Sequence, residues 1–385
     1  MLIYWIWLAL KADISEQEKL AVLAHFGSPE DVYFAQEQAY SALEALRPEA
    51  VAALCDKKLE EAEKILGLCT RKKIRVLTWH DDLYPSRLKN IADPPLVLYY
   101  KGRLPDFDRE PMIGVVGTRE ASAYGLSVAR NMGEEIARCG GIVVSGMAAG
   151  IDAMATEGAL IAEKPAVGVL GCGADRVYPT SNRRLYMKME QAGCLLTEYP
   201  PGTPPYKWNF PRRNRIISGI FCGVLVIEAP EKSGALITAR QALEQGRDVY
   251  VVPGNIGVTT CAGSNALLRD GAGAVFSGWD VVSEYAHLYP DKIQKIAALT
   301  EPSLKSDTKA VDNMQQTAYI DEEDSLSDLN QDERAILAYM RSGEQNIDEL
   351  IAASGLDTGT VLAALTLLEV KGKVVTLPGR RVALC

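Results

Sequence analysis

The chain has 385 residues, 48% of them apolar and 24% charged, the balance of a protein that buries a large core in two or three domains. No apolar run reaches the roughly 20 residues of a membrane span, and Met1–Leu10 ends at Lys11 without a basic n-region or cleavage site, so it reads as a buried first helix rather than a signal. The formal charge of -9 excludes a uniformly basic coat.

From Ile3 to about Thr70 the pattern is of short helices broken at Gly27-Ser28-Pro29 and Arg47-Pro48, with Leu59, Ala62, Ile65 and Leu66 at helical spacing. Residues 1–72 are therefore expected to form an all-helical domain of the SAM or helix-hairpin-helix kind. A transitional segment follows, with strand-like runs at Ile74–Trp79 and Leu96–Tyr100.

From Met112 onward, fully apolar runs alternate with helical patterns: MIGVVG, IVVSG, AVGVLG, CLLTEY, GVLVIEA, DVYVVPG and GAVF. Such runs, each followed by a helix, predict a parallel sheet covered on both faces, a doubly wound α/β domain over 73–290. An acid-rich stretch, 291–328, reads as a linker. Beyond it, 329–385 predicts helices at Leu329–Arg341, Ile347–Ser354 and Thr358–Val370, the last with Leu362, Leu365 and Leu368 inward. A two-stranded wing around Pro378-Gly379-Arg380-Arg381 completes a winged-helix pattern, which suits either nucleic-acid binding through its third helix and basic wing or protein docking.

Eight scattered cysteines show no C-x-x-C pair, and they read as buried thiols rather than disulfides or a zinc site. Charge is uneven along the chain. Residues 171–220 hold eight Lys/Arg against three acids, and 301–330 hold eight acids against two lysines.

Four Gly-rich turns stand where strands meet helices: Gly117-Thr118-Arg119, Ser145-Gly146, Gly171-Cys172-Gly173 and Ser233-Gly234-Ala235-Leu236-Ile237-Thr238. Glycine admits a ligand close to the backbone, and amides at a helix start attract phosphate, so the four together predict an anionic ligand. No G-x-G-x-x-G follows the first strand and no P-loop motif occurs, which disfavours ordinary dinucleotide and nucleotide sites.

The densest feature is Pro204-Pro205-Tyr206-Lys207-Trp208-Asn209-Phe210-Pro211-Arg212-Arg213-Asn214-Arg215. Four cations within nine residues, interleaved with rings and free of acids, match a single-stranded nucleic-acid groove: charge for the backbone, rings for the bases. Pro205 and Pro211 suggest a loop around Lys207 and Phe210 rather than a helix. Catalytic candidates are sparse. No Ser/His/Asp set fits the spacing, and Asp152, Glu157, Glu228 and Glu231 are the carboxylates near the turns.

At these residues the sequence resembles the DNA-processing protein A family (DprA, also called Smf). The likeness lies in Gly117-Thr118-Arg119, Ser145 to Asp152, Tyr178-Pro179 with Asn182, Pro200 to Gly219, and Ser233 to Gly246 continuing to Val252-Pro253-Gly254. It implies a cytoplasmic homodimer with an extended Rossmann fold that binds and protects incoming single-stranded DNA and loads the RecA recombinase during natural transformation, without a cofactor or metal. The implied DNA site is Arg119, Ser145, Gly146, Lys207, Phe210, Ser233, Gly234 and Thr238, supported by Arg212, Asn214 and Arg215. Ala149 and Thr156 stand where the family usually has arginine and histidine. The alternative is a Rossmann-like nucleotide-cleaving hydrolase acting on nucleoside monophosphates, whose paired glycines and glutamate are missing from Ser233–Thr238.

Overall fold

The structure is a computed structural model that describes residues 1–295, 330–340, 345–371, 374–377 and 381–384. The chain divides into two compact units, Met1–Glu301 and Pro302–Cys385. Among the described residues no single helix is long and apolar enough to cross a membrane.

The first unit opens with six helices: Leu2–Ala9, Glu16–Phe26, Pro29–Phe34, Glu37–Ser41, Pro48–Cys55 and Glu60–Arg71. Their boundaries follow local chemistry. Ser15 and Glu18 form a reciprocal capping box, Gly27 ends the second helix at φ 85°, and Pro29 and Pro48 open helices at a position where no amide hydrogen is needed. The first helix buries Trp5, Ile6, Trp7 and Leu8, as expected. This helical core is continuous with Ile74, Leu96, Val97 and Tyr99, so the helices pack directly on the edge of the sheet.

The strands are β1 (Arg75–Thr78), β2 (Val97–Gly102), β3 (Met112–Gly117), β4 (Ile142–Ser145), β5 (Ala166–Val169), β6 (Cys194–Thr197), β7 (Gly223–Ile227), β8 (Asp248–Val251) and β9 (Gly273–Ala274). They form one sheet in the order β1-β2-β6-β5-β4-β3-β7-β8-β9. From β6 to β9 every pairing is parallel, while β1 and β2 add an antiparallel edge, so the transitional segment joins the sheet. Alternate side chains of β3 serve the two faces. Ile113 and Val115 pack with Ala129, Met132, Ile136, Ile151 and Ala155 from the Ala123–Arg138 and Ile151–Ile161 helices. Met112 and Val116 pack with Ile216, Ile217, Ile220, Ala235 and Ala239 from the Asn209–Ile220 and Gly234–Glu244 helices. Fully covered strands explain their unbroken apolar runs. Cys69, Cys139, Cys172, Cys194, Cys222 and Cys261 are buried, as their scatter suggested, whereas Cys55, at the end of the Pro48–Cys55 helix, is exposed.

Residues 291–295, read as the start of the acidic linker, pack instead on the sheet unit. Ile293 is buried, and the Gln294 amide donates to the Cys139 carbonyl at 3.2 Å. Linker residues 296–328 lie outside the described residues.

The second unit has helices at Gln331–Tyr339, Ile347–Ser354 and Thr358–Val370. Strands β10 (Gln345–Asn346), β11 (Val374–Leu377) and β12 (Arg381–Leu384) form a three-stranded sheet in the order β10-β12-β11, one strand more than the expected wing. Its turn, Pro378-Gly379-Arg380, lies outside the described residues. Leu365 and Leu368 face the core as expected, but Leu362 is exposed and Val361 and Ala364 take the inward positions. The Thr358–Val370 helix is apolar almost all round, so its pattern did not fix which stripe turns inward.

Candidate functional site

Strands β3 and β7 are neighbours at the point where the order reverses, with β4 to one side and β8 to the other. Loops leaving such strands in opposite directions open a crevice at their carboxyl ends. A pocket of about 580 Å³ fills it. Gly117, Thr118 and Arg119 enter from the end of β3, Ala148 and Asp152 from beyond β4, and Pro230, Lys232, Ser233, Gly234 and Thr238 from beyond β7. Lys207, Phe210, Arg213 and Asn214 close it from the far side. Arg119, Lys207, Arg213 and Lys232 outnumber Glu120 and Asp152, so the lining favours an anion.

The run from Lys207 to Arg215 is not an extended loop. A helix spans Asn209–Ile220, with Trp208 as its cap and Pro211 in its first turn, where the missing amide hydrogen costs nothing. Proline therefore starts this helix instead of preventing it. At 100° per residue the three arginines then point in three directions. Arg212 is exposed and lies outside the pocket lining. Arg213 points into the sheet's carboxyl end, buried, where Nη1 donates to the carbonyl oxygens of Gly146 (2.7 Å) and Val169. Arg215 turns to the opposite side and pairs with Glu198 (2.6 Å) and Asp93 (3.1 Å). Arg215, expected to support the ligand, thus lies outside the pocket lining and pairs with two carboxylates.

Phe210 is half-buried. Its ring stacks obliquely on Tyr178 at 5.2 Å and lies beneath the guanidinium carbons of Arg119 (5.6 Å) and Arg213 (5.9 Å). Those distances are within cation–π range, so the ring orders the two cations as well as lining the pocket. Phe210 also explains the third Gly-rich turn. A Cβ on Gly171 would stand 2.9 Å from the ring, and the Gly171 carbonyl accepts from the Asn209 side chain at 2.9 Å. That turn is glycine-rich for packing, and it does not line the pocket.

Ser145 and Gly146 lie behind the pocket rather than on it, with Ser145 fully buried. Gly146 supports Arg213, and its amide, with that of Ala148, donates to the Asp152 carboxylate (3.0 and 3.4 Å). Burial pushes the Asp152 carboxyl up, against the opposing pull of Arg213 and these amides. The Asn182 amide donates to the carbonyls of Met147 and Ala148 and holds this second turn in shape. Thr156 is buried, with its hydroxyl donating to the Asp152 carbonyl at 2.8 Å, and neither it nor Ala149 lines the pocket.

On the β7 side, Ser233 caps the Gly234–Glu244 helix by accepting from the Ala235 amide, which presents the positive end of that helix to the pocket. Of the predicted site residues, Arg119, Lys207, Phe210, Asn214, Ser233, Gly234 and Thr238 come together here. Lys232, Tyr178 and Arg213 also line the pocket; the last two stood in the family likeness and the basic run but were not among the expected site residues. Arg213 was detectable as the i+3 partner of Phe210, but only once the run is read as a helix.

Of the four candidate acid/base groups Asp152 lines the pocket, while the other three lie off it. Glu228 is buried, accepts from the Ser122 amide (2.9 Å) and hydroxyl, and lies outside the pocket lining, so it anchors the start of the Ala123–Arg138 helix. Glu157 pairs with Arg130 at 3.2 Å, and Glu231 is exposed. In the second unit Lys371 bonds Glu333 at 2.7 Å, while Lys373 and Arg380 lie outside the described residues. Among the described residues no cluster of His, Cys, Asp or Glu is placed to hold a metal.

A doubly wound sheet whose switch-point pocket combines cations, aromatic rings and a helix start has the chemistry that suits a phosphate-bearing ligand. Residues 75–286 match the DNA recombination-mediator protein A family, and residues 321–380 match the DprA winged helix domain. The chain belongs to the DprA/Smf family of recombination mediators. It is 42% identical to the DNA processing protein DprA of Bacillus subtilis over 221 residues, 57% of this chain and 74% of that protein. It is 35% identical to Protein Smf of Synechocystis over 324 residues, 81% of this chain and 80% of that one. The structure of Streptococcus pneumoniae DprA superposes with a TM-score of 0.65 at 34% identity, covering 74% of this chain and 98% of that chain. A Helicobacter pylori DprA structure, described for its single-stranded DNA binding mode, has a TM-score of 0.51 at 28% identity, covering 57% of this chain and 99% of that one.

Proposed function

We propose that this chain binds single-stranded DNA in the switch-point pocket and, as a recombination mediator, protects incoming strands and loads RecA on them during natural transformation. In this reading it acts in the cytoplasm as a homodimer and performs no chemical step of its own. The observation that carries the DNA reading is the Arg119–Phe210–Arg213 stack beside Lys207 and the Gly234 helix start, which offers paired cations for phosphate and rings for an unpaired base. Family membership supports the mediator role, RecA and the homodimer. The binding mode described for the Helicobacter pylori relative supports the ligand. Hydrolysis of a nucleoside monophosphate is disfavoured, because Glu228 is committed to Ser122 and Asp152 to two backbone amides.

Arg119 is the cation to test. It follows β3 directly and lies over Phe210, so removing its fork costs a charge-assisted contact without opening the core. Arg119→Ala should weaken oligo-dT binding by roughly 1.5–3 kcal/mol while the unfolding midpoint stays put. Unchanged affinity in a folded variant would move the DNA site elsewhere.

A further inference from the structure

Trp208 is 70% exposed, although indole is among the side chains that gain most from burial. Trp5 and Trp7 are buried and Trp79 and Trp279 are half-buried, so Trp208 is the one tryptophan left mostly open. Its ring is also ordered. Tyr206, itself 44% exposed, stacks on it with centroids 4.7 Å apart and planes 8° from parallel. A pair serving only the fold would be expected to turn these rings inward, as Tyr84 and Tyr99 are turned.

The position of the pair adds the second half of the argument. Lys207, between the two rings in sequence, lines the pocket, and Phe210 follows Trp208 by two residues on the same helix start. Phe210 presents to the pocket only the part of its ring left open by Tyr178, Gly171, Arg119 and Arg213. The open aromatic surface beside the cationic pocket is therefore the Tyr206–Trp208 stack.

We propose that the Tyr206–Trp208 stack is a second base platform, which takes the unpaired nucleobase adjoining the nucleotide whose phosphate enters the pocket. This rests on the reading of the pocket as a single-stranded DNA site. Stacking on an exposed indole tolerates every base, because each has a π-face, and it requires a base that is not already paired and stacked in a duplex. The platform thus adds affinity and a preference for single strands without adding charge.

The test is a titration of the full chain with oligo-dT of about ten nucleotides, followed by tryptophan fluorescence and independently by anisotropy of a labelled oligonucleotide. Wild type, Trp208→Phe and Trp208→Ala are compared, with sedimentation of each free protein. Expected are quenching of wild-type fluorescence on binding and loss of that quenching in both variants. Affinity should be kept in Trp208→Phe and should fall about five- to hundredfold in Trp208→Ala, with the salt slope unchanged. Wild-type affinity in Trp208→Ala would overturn the platform and leave the pocket standing. A sedimentation change in Trp208→Ala with affinity intact would assign the stack to contact between copies of the chain, and would equally overturn it. Failure of the wild type itself to bind oligo-dT would remove the pocket reading and the platform together.

Discussion

Gly146 and Arg213 share one volume: a Cβ on Gly146 would stand 2.6 Å from Nη2 of Arg213, while the Gly146 carbonyl accepts from Nη1 at 2.7 Å. The guanidinium is flexible in isolation, but here it is buried and held by two carbonyls. Gly146→Ala should therefore push it off its partners, lowering both stability and oligo-dT affinity. Arg213→Ala should cost roughly 1–3 kcal/mol for each buried carbonyl left unpaired. Urea unfolding measures both, and a Gly146→Ala protein as stable and as tight-binding as wild type would show that the guanidinium is not fixed by this contact.

Glu228 separates structure from catalysis. Its carboxylate holds the Ser122 amide and hydroxyl at the start of the Ala123–Arg138 helix. Glu228→Gln weakens charge-assisted bonds, so stability should drop by about 1.5–3 kcal/mol while oligo-dT affinity is unchanged. A nucleoside monophosphatase activity lost in this variant would restore the hydrolase reading.

The N-terminal helices carry an acid-sensitive joint. Hydrogen bonds from the Arg47 guanidinium, aided by Ser15, hold the Glu18 carboxyl far below its ordinary 4.5, against the opposing effect of burial. A depressed carboxyl contributes stability that is complete well above its unfolded value and is lost as pH falls through its folded value. Glu18→Gln should accordingly unfold earlier than wild type at neutral pH, with the gap closing once the medium is more acidic than pH 4.5. Thermal melts across that range check the sign, and a gap that widened in acid would contradict it.

The end of the sheet unit lies beyond Tyr289. Ile293 is buried in its core, Lys292 pairs with Glu110 at 2.6 Å, and Gln294 bonds Cys139. A chain truncated after Lys295 should fold and keep most of its affinity, because the second unit has a net charge of -1 over 331–385 and its Lys371 is committed to Glu333. Truncation after Tyr289 should lower the melting temperature. A loss of more than about tenfold in affinity, roughly 1.4 kcal/mol, in the longer form would place winged-helix residues on the DNA.

Strands buried on both faces announced themselves as apolar runs alternating with helical patterns, so much of the architecture was legible in the sequence. The site was harder to read for two physical reasons. Glycine is needed equally for ligand approach and for close packing, and only the structure shows that Gly171 accommodates Phe210 while Gly146 accommodates Arg213. Proline both breaks and begins helices, and taking Pro211 for a break hid the rotation that sends Arg213 to the pocket and Arg215 to Glu198 and Asp93. Strands β1 and β2 were legible as apolar runs, but their antiparallel pairing onto the edge of the sheet was not, because a single strand's pattern does not name its partner.

The most direct measurement is a titration of the full chain with labelled oligo-dT and with duplex of equal length, over a range of salt, in wild type and Lys207→Ala. The expected result is marked preference for the single strand, a steep fall of affinity with salt, and a slope about one ion smaller in Lys207→Ala. Equal affinity for duplex and single strand, or a slope indifferent to Lys207, would contradict it.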